Sequence, residues 1–326
     1  MKQKVNAVIL AGTKNCIPFD IPFDIGKKKE YKQYLQLNGK YIVEYCIDAV
    51  LNAKRVDKIF IVCDPKRMTL VLRKYDKKTR QRIHVIENQD SLMESIFYCF
   101  KDWTEQAILV PSDAPFLEAA DIDLFIKEVD ETADYVIGFT DGTSLDTLFE
   151  KRALFIKKER IKYGLFPMYR ALVRISNLHY LNFRKVTDDE VTLAQGVFDN
   201  RRLLDENGRK NRKSWRNIAG ACLKYLHQRH YNPAIIFGSF LVLVHALLYY
   251  AAHKTAQSKF GKFYSFFLRK KMVAKTLTLL TGCRIHCQLV ISKNLGSMLD
   301  IDVPETYLLF AKNKHFEELK AVLRKF

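Results

Sequence analysis

Four short stretches carry residues suited to binding phosphate or a hard cation. The first is Val8-Ile-Leu-Ala-Gly12-Thr-Lys14, an apolar run ending in glycine. A glycine just past a strand lets the backbone approach an anion closely, and the amides that follow it can hold one. The second is Lys32-Gln-Tyr-Leu, with Asn38-Gly39-Lys40 close behind. The third is Val110-Pro-Ser-Asp113-Ala-Pro115, in which a proline fixes the turn after the acidic residue. A carboxylate so placed at the end of a strand can ligate a divalent ion. The fourth is Met298-Leu-Asp300-Ile-Asp302-Val-Pro304, with two carboxylates two residues apart. Each has an ordinary structural alternative: a turn glycine, a solvated lysine, a turn aspartate, and a helix cap made by Asp302 ahead of Pro304.

The elements that must position these residues follow from the hydrophobic pattern. Strands are expected over 5–10, 58–63, 84–86, 107–110 and 135–138. Helices are expected over 41–53, 67–74, 91–99 and 120–129. Near-continuous apolar strands alternating with helices indicate an α/β fold, a doubly wound and mostly parallel sheet covered on both faces. Ligands of such sheets sit at the carboxyl ends of the strands, which is where Gly12 and Asp113 fall. The rhythm breaks near 150. The expected organisation is a core over 1–150, a basic and mainly helical insertion over 151–292, and a return strand with a C-terminal helix over 293–326.

Taken together and in this order, Leu10-Ala-Gly12, Lys32-Gln-Tyr-Leu, Asp113-Ala-Pro115 and Asp300-Ile-Asp302-Val-Pro-Glu resemble the MobA-like nucleotidyltransferase superfamily. That superfamily includes cytidylyltransferases of polyol and isoprenoid phosphates. The resemblance implies a Rossmann-like, GT-A-like sheet that joins a nucleoside triphosphate to a phosphorylated small molecule, releasing pyrophosphate with Mg²⁺ or another divalent cation. It implies Lys32 at the substrate phosphates, and Asp113 with Asp300 as metal ligands, Asp302 in reserve. It also implies nucleotide contacts at Leu10, Ala11, Gly12 and Thr13, and base contacts from Ser91 and Ser95. Ser91 can equally cap the helix it precedes. The chain departs from the family where Thr13 replaces a second glycine and where 15–29 forms a longer segment without arginine. Lys14, or one of Lys27, Lys28 and Lys29, is then expected to supply the missing cation. CTP is the first expectation for the nucleotide and GTP the next.

The composition bears on partners. Net charge is +18, from 54 Lys and Arg against 36 Asp and Glu, and such a field attracts polyanions. Nucleic acid is disfavoured because no reading helix or aromatic platform is apparent. Seven scattered cysteines suit a reducing cytoplasm better than a disulfide framework. Cys283, His286 and Cys287 lack a second ligand pair at zinc spacing. Residues 233–252 carry no formal charge apart from His245 and are long enough to cross a bilayer, which takes about 20 apolar residues. A single crossing would separate Asp113 from Asp300, so a buried helix is expected in preference to one lying on an anionic membrane surface, at its inner face. Two other readings stay open: a catalytically degenerate scaffold of the same fold, and a metal-dependent glycosyltransferase using Asp113.

Overall fold

The computed structural model describes residues 4–12, 18–23, 26–100, 106–142, 166–168, 171–200, 212–254, 266–293, 296–302, 304–311 and 313–323. The first half builds β1 (Val5–Ala11), β2 (Phe19–Phe23), β3 (Gly26–Glu30), β4 (Gln36–Leu37), β5 (Lys40–Tyr41) and α1 (Ile42–Asn52). It continues through β6 (Val56–Cys63), α2 (Pro65–Leu72), α3 (Lys77–Gln81), β7 (Ile83–Glu87), α4 (Leu92–Phe100), β8 (Gln106–Pro111), α5 (Ala119–Glu128) and β9 (Tyr135–Asp141). Then follow β10 (Phe166–Met168), β11 (Ala171–Asn182), α6 (Asp188–Asp199), α7 (Arg212–Gln228), α8 (Pro233–Lys254) and α9 (Lys270–Leu280). The described chain closes with β12 (Cys287–Ser292), α10 (Pro304–Phe310) and α11 (Asn313–Leu323).

The central sheet runs β12-β9-β11-β8-β1-β6-β7, with β10 paired to β11. Strand β1 is parallel to β6 and β8, β6 to β7, and β12 to β9; β11 is antiparallel to both of its long neighbours. This is the mostly parallel, doubly wound sheet that the apolar strands called for. Side chains alternate across it. Ala7, Ile9, Ile59, Ile61, Ile108 and Val110 face the layer of α1 and α5. Val8, Phe60, Val62, Ala107 and Leu109 face Ile96 and Cys99 of α4. Asp134, fully buried, ties three strand ends together: its carboxylate accepts from the His286 amide at 2.9 Å and Lys185 Nζ at 3.0 Å, and its carbonyl accepts from the Asn182 amide at 2.7 Å.

The segment expected to be a mainly helical insertion also supplies sheet strands. Its alternating run Ala171–Asn182 is β11, wedged between β8 and β9. The returning strand comes before 293, as β12, so Asp300 stands in a loop beyond it. Helices α6 to α9 do form a layer, whose small core is Leu193, Tyr225, Ile235 and Leu280. Gly238 of α8 meets the backbone of Leu279 and Leu280: a β-carbon there would stand 2.7 Å from the Leu279 carbonyl carbon, so only glycine permits this approach. The expected burial of 233–252 is only half met. Ile235 is buried, whereas Ile236, Phe237, Phe240, Leu243 and Leu247 are exposed. Taken over the described residues, no helix is both long and apolar enough to cross a membrane. The topology agrees, since β11 before α8 and β12 after it lie in one sheet. Of the basic runs Arg201-Arg202 and Arg209-Lys-Asn-Arg-Lys213, residues 201–211 lie outside the described residues, and Lys213, in the first turn of α7, is exposed.

One ionic knot holds the helical layer. Buried Glu190 of α6 accepts from Tyr225 Oη and Arg229 Nη2, each at 2.7 Å, and from the Thr187 amide at 2.9 Å. Burial alone would raise its carboxyl, but the hydrogen bonds from Thr187 and Tyr225 and the Arg229 charge outweigh burial and hold it below its ordinary 4.5. A depressed folded-state value means this stabilisation is present above pH about 4.5 and fades as acid titrates the folded carboxylate. Replacing Glu190 by Ala leaves Arg229 without its buried partner and is expected to cost about 3 kcal/mol. Thermal melts by circular dichroism should show a lower Tm for the variant at neutral pH and a narrowing difference in acid. Identical melts at both pH values would show that the knot contributes nothing.

Candidate active site

The site forms where β1 and β8 end side by side, Leu10 opposite Pro111. Beyond β1, Gly12 lies against the buried Asn88: a β-carbon on it would stand 3.4 Å from that of Asn88. A single helical turn, Lys32–Tyr34, is fastened there by Gln33, whose side-chain amide donates to the carbonyls of Ala11 and Gly12 at 3.1 Å each. The following Asn38-Gly39 turn has both residues at positive φ, 50° and 75°, the geometry a two-residue hairpin needs. These constraints aim Lys32 back across the mouth of the sheet. Its ammonium pairs with Asp113 and, at 3.0 Å, with Asp302.

The second half of the site comes from the far end of the chain. Leu299 and Ile301 are buried in a cluster with Leu37, Phe116, Phe310 and Phe316. Alternation along an extended backbone then turns Asp300 and Asp302 the other way. The Ile301 amide donates to the Asp113 carbonyl at 2.9 Å, locking this loop to the exit of β8. Phe116, three residues past Asp113, packs edge-on against Phe310 at 5.0 Å, so α10 braces the β8 loop as well. Asp300 accepts from Arg174 Nη2 at 2.6 Å and from Asn177 Nδ2 at 2.9 Å. Both donors lie on β11: Arg174 pairs regularly with Thr140, just before the register with β9 shifts, and Asn177 stands within the shift at a left-handed φ of 58° that asparagine tolerates. Bulges of this kind re-aim side chains beside sites.

The charges are strongly interdependent. Burial pushes the Asp300 carboxyl up to about 7; Arg174 opposes that rise, and Asp302 and Asp113 reinforce it. The Asp302 side chain is 59% exposed; its partial desolvation would raise it, yet Lys32 and Arg174 outweigh that and hold it below the usual carboxylate range. Burial would lower the Lys32 ammonium, but Asp113 and Asp302 outweigh it and raise it. Three carboxylates and two cations thus share one strand edge. Such an arrangement can grip phosphate through the cations and a hard metal through the carboxylates.

The comparisons decide the family. Residues 7–208 match the family model described as the MobA-like NTP transferase domain. The chain belongs to this family. Among solved structures it is similar to a hypothetical transferase from Thermus thermophilus, at 14% identity over 93% of this chain and 99% of that one, with a TM-score of 0.54. It is also similar to a CMP:2-keto-3-deoxy-manno-octonic acid synthetase complexed with CTP, at 10% identity over 99% of each chain, TM-score 0.45. A 4-diphosphocytidyl-2C-methyl-D-erythritol synthase from Anaerococcus prevotii matches at 12% identity over 97% and 99%, TM-score 0.44. No curated protein matches the chain.

For this MobA-like chain, the structure gathers Lys32, Asp113, Asp300 and Asp302 in one cluster. Leu10, Ala11 and Gly12 form the exit of β1 beside it. Thr13 and Lys14 lie outside the described residues, as do the side chains of Lys27 and Lys28. Ser91 and Ser95 stand after β7 with their hydroxyls engaged locally. The Ser91 hydroxyl accepts from the Glu94 amide at 3.1 Å, and that of Ser95 donates to the Ser91 carbonyl at 2.8 Å. A cavity of about 290 Å³ near the Lys32 turn, lined by Tyr34, Tyr41, Tyr307 and Arg67, does not include the cluster. Sequence reasoning missed Gln33, Arg174 and Asn177. The alternation of β11 would have marked Arg174, had that segment not been read as helical.

Asp300 and Arg174 form a pair whose side chains are 9% and 17% exposed, so removing one partner strands the other. Arg174→Gln is expected to lower Tm by an amount equivalent to about 3 kcal/mol. Adding Asp300→Asn to it should restore part of the loss, because the stranded charge is then gone. Additive losses in a double-mutant cycle would mean the two residues are not coupled.

Proposed function

We propose that this MobA-like chain joins a nucleoside triphosphate to a phosphorylated small molecule and releases pyrophosphate. CTP is the favoured nucleotide, and GTP the next. What carries the reading is the placement of Lys32 between Asp113 and Asp302 at the mouth of the sheet, with Asp300 braced alongside by Arg174. An oxygen of the acceptor phosphate attacks the α-phosphorus, a P–O–P phosphoanhydride bond forms, and the bond to the β-phosphate oxygen breaks, its electron pair leaving with pyrophosphate. The acceptor oxygen is already ionised, so no general base is needed. The obstacle is electrostatic, because two polyanions must meet, and fixed cations lower it. Lys32 is placed to hold phosphate oxygens as charge builds on them. Backbone amides past Gly12 would cradle the triphosphate, with Lys14 as a further cation. The residues around Asn88, Ser91 and Ser95 would shape the wall facing the base. The preference for CTP rests on Lys32-Gln-Tyr-Leu and Asp300-Ile-Asp-Val-Pro-Glu, which resemble cytidylyltransferase forms.

A divalent cation fits the donors present. Asp113 and Asp300 offer hard carboxylate oxygens, the chemistry that suits Mg²⁺. Among the described residues no group of three or more His, Cys, Asp or Glu stands ready as a metal cage. Mg²⁺ does not ask for one, since it is usually held by one or two carboxylates together with substrate phosphates and water. When bound, it would neutralise phosphate charge.

The test is a panel of four triphosphates against phosphorylated polyols and sugars, read by pyrophosphate release. Release is expected with CTP and Mg²⁺, and chelation should abolish it. Lys32→Ala should lower turnover by on the order of 10²-fold. Because Lys32 also neutralises buried Asp113, its melt must be compared with that of Lys32→Arg. Nucleotide binding without pyrophosphate release from any pair would reject the transferase reading in favour of a degenerate scaffold. Full turnover in Lys32→Ala would remove Lys32 from the chemistry.

A further inference from the structure

Sixteen Lys and Arg residues and no Asp or Glu lie between Glu206 and Asp300. Within the helical layer Asp189 and Glu190 of α6 answer Arg229, and Glu190 also Arg284, but the stretch 207–299 brings no acidic residue of its own to balance its other cations. It therefore faces something anionic. The described cations Lys213, Arg216, Lys224, Lys270, Lys271 and Lys275 are exposed. Lys270 and Lys271 open α9 with no acidic residue in its first turn. Cations at a helix N-terminus oppose the macrodipole, so this placement costs helix stability.

The same layer leaves an apolar stripe uncovered. Ile236, Phe240, Leu243 and Leu247 recur at helical spacing along α8, and each is 47–65% exposed. Phe237, also exposed, widens the stripe. It spans the twelve residues from Ile236 to Leu247, about 16 Å of helix. Gly238 meets Leu279 and Leu280, the last residues of α9, and α8 continues along α9 from there. The two helices are thus antiparallel, and Leu247 stands about level with Lys270 and Lys271. Phe266, Phe267 and Met272 are exposed at that same end of α9, with the Arg269 guanidinium 4.0 Å over the Phe266 ring.

We infer that the outer face of α8 and the basic start of α9 dock this chain on an anionic phospholipid surface. Helix α8 lies in the interface and does not cross it. A bilayer surface offers both halves of the match: anionic headgroups for the lysines, and an apolar layer beneath for Phe240 and Leu243. A second copy offers its own stripe for the apolar half but fails on charge, because docking across this face would set cations against cations. Nucleic acid would satisfy the charge and leave the stripe in water.

The experiment is flotation of the full chain, without nucleotide, with vesicles of phosphatidylcholine mixed with phosphatidylglycerol, against phosphatidylcholine alone. Partitioning is expected to be about tenfold or more higher with the anionic lipid and to fall at high salt. Phe240→Ser with Leu243→Ser should lower partitioning at least tenfold with an unchanged melt, since both side chains are exposed. If that variant does not fold, Lys270→Gln with Lys271→Gln takes its place and should remove most of the preference for anionic lipid. No binding by the intact chain overturns the inference, as does equal binding by a folded variant. A concentration-dependent dimer that the stripe variant dissolves, with no flotation, would assign the face to a second copy. No nucleotide is involved, so failure here leaves the transfer reading standing.

Discussion

Asp113, Asp300 and Asp302 meet at one edge of the sheet, and carboxylates this close cannot all stay ionised without cations among them. Lys32 and Arg174 are those cations. They come from opposite sides: Lys32 from a turn fastened to the exit of β1, and Arg174 from β11 just before its register shift. Their division of labour is uneven. Lys32 and Arg174 together hold Asp302 ionised, whereas buried Asp300 sits near 7 despite Arg174. Two carboxylates two residues apart are thereby pushed in opposite directions by their surroundings. The cluster sets three carboxylates against two cations.

The fold keeps that cluster together. Its members come from four remote stretches, near 32, 113, 174 and 300. Only a sheet in which β1 and β8 are neighbours, and β11 lies next to β8, puts them within reach of one another. The last stretch has the furthest to return. It is carried back by β12 pairing with β9, then held by the bond from the Ile301 amide to the Asp113 carbonyl and by the burial of Leu299 and Ile301. The loss of either buried anchor would loosen Asp300 without touching a charged residue.

Much of this was legible in the residues because the signals were local. Apolar strands with capped helices marked the core, and glycine, aspartate and proline at strand ends marked the edge where a ligand belongs. The position of Asp300 was legible only through its motif, since nothing local says which strand precedes it. Arg174 and Asn177 were not legible. Their segment was weighed by its basic and aromatic content instead of by its period of two. The bulge that holds Asn177 against Asp300, just past Arg174, is a tertiary feature, set by pairing with β9. The half-exposure of α8 was hidden for a similar reason. A helix apolar on every side reads as core, and only the position of α9 shows which side is covered.

The distribution of charge separates two jobs that a single net value conceals. Sixteen of the eighteen net positive charges fall within 207–299, and the rest of the chain is close to neutral. On the proposed reading, the polyanionic substrates are met by a few placed cations held against carboxylates, not by a broad field at the cleft. A broad field falls off over about 8–10 Å at physiological salt and carries no geometry, whereas Lys32 and Arg174 are fixed to within a hydrogen bond. The surplus charge therefore serves the helical layer itself. There it accompanies an apolar stripe that the protein leaves exposed, and the inferred phospholipid surface, anionic outside and apolar beneath, would account for both features together.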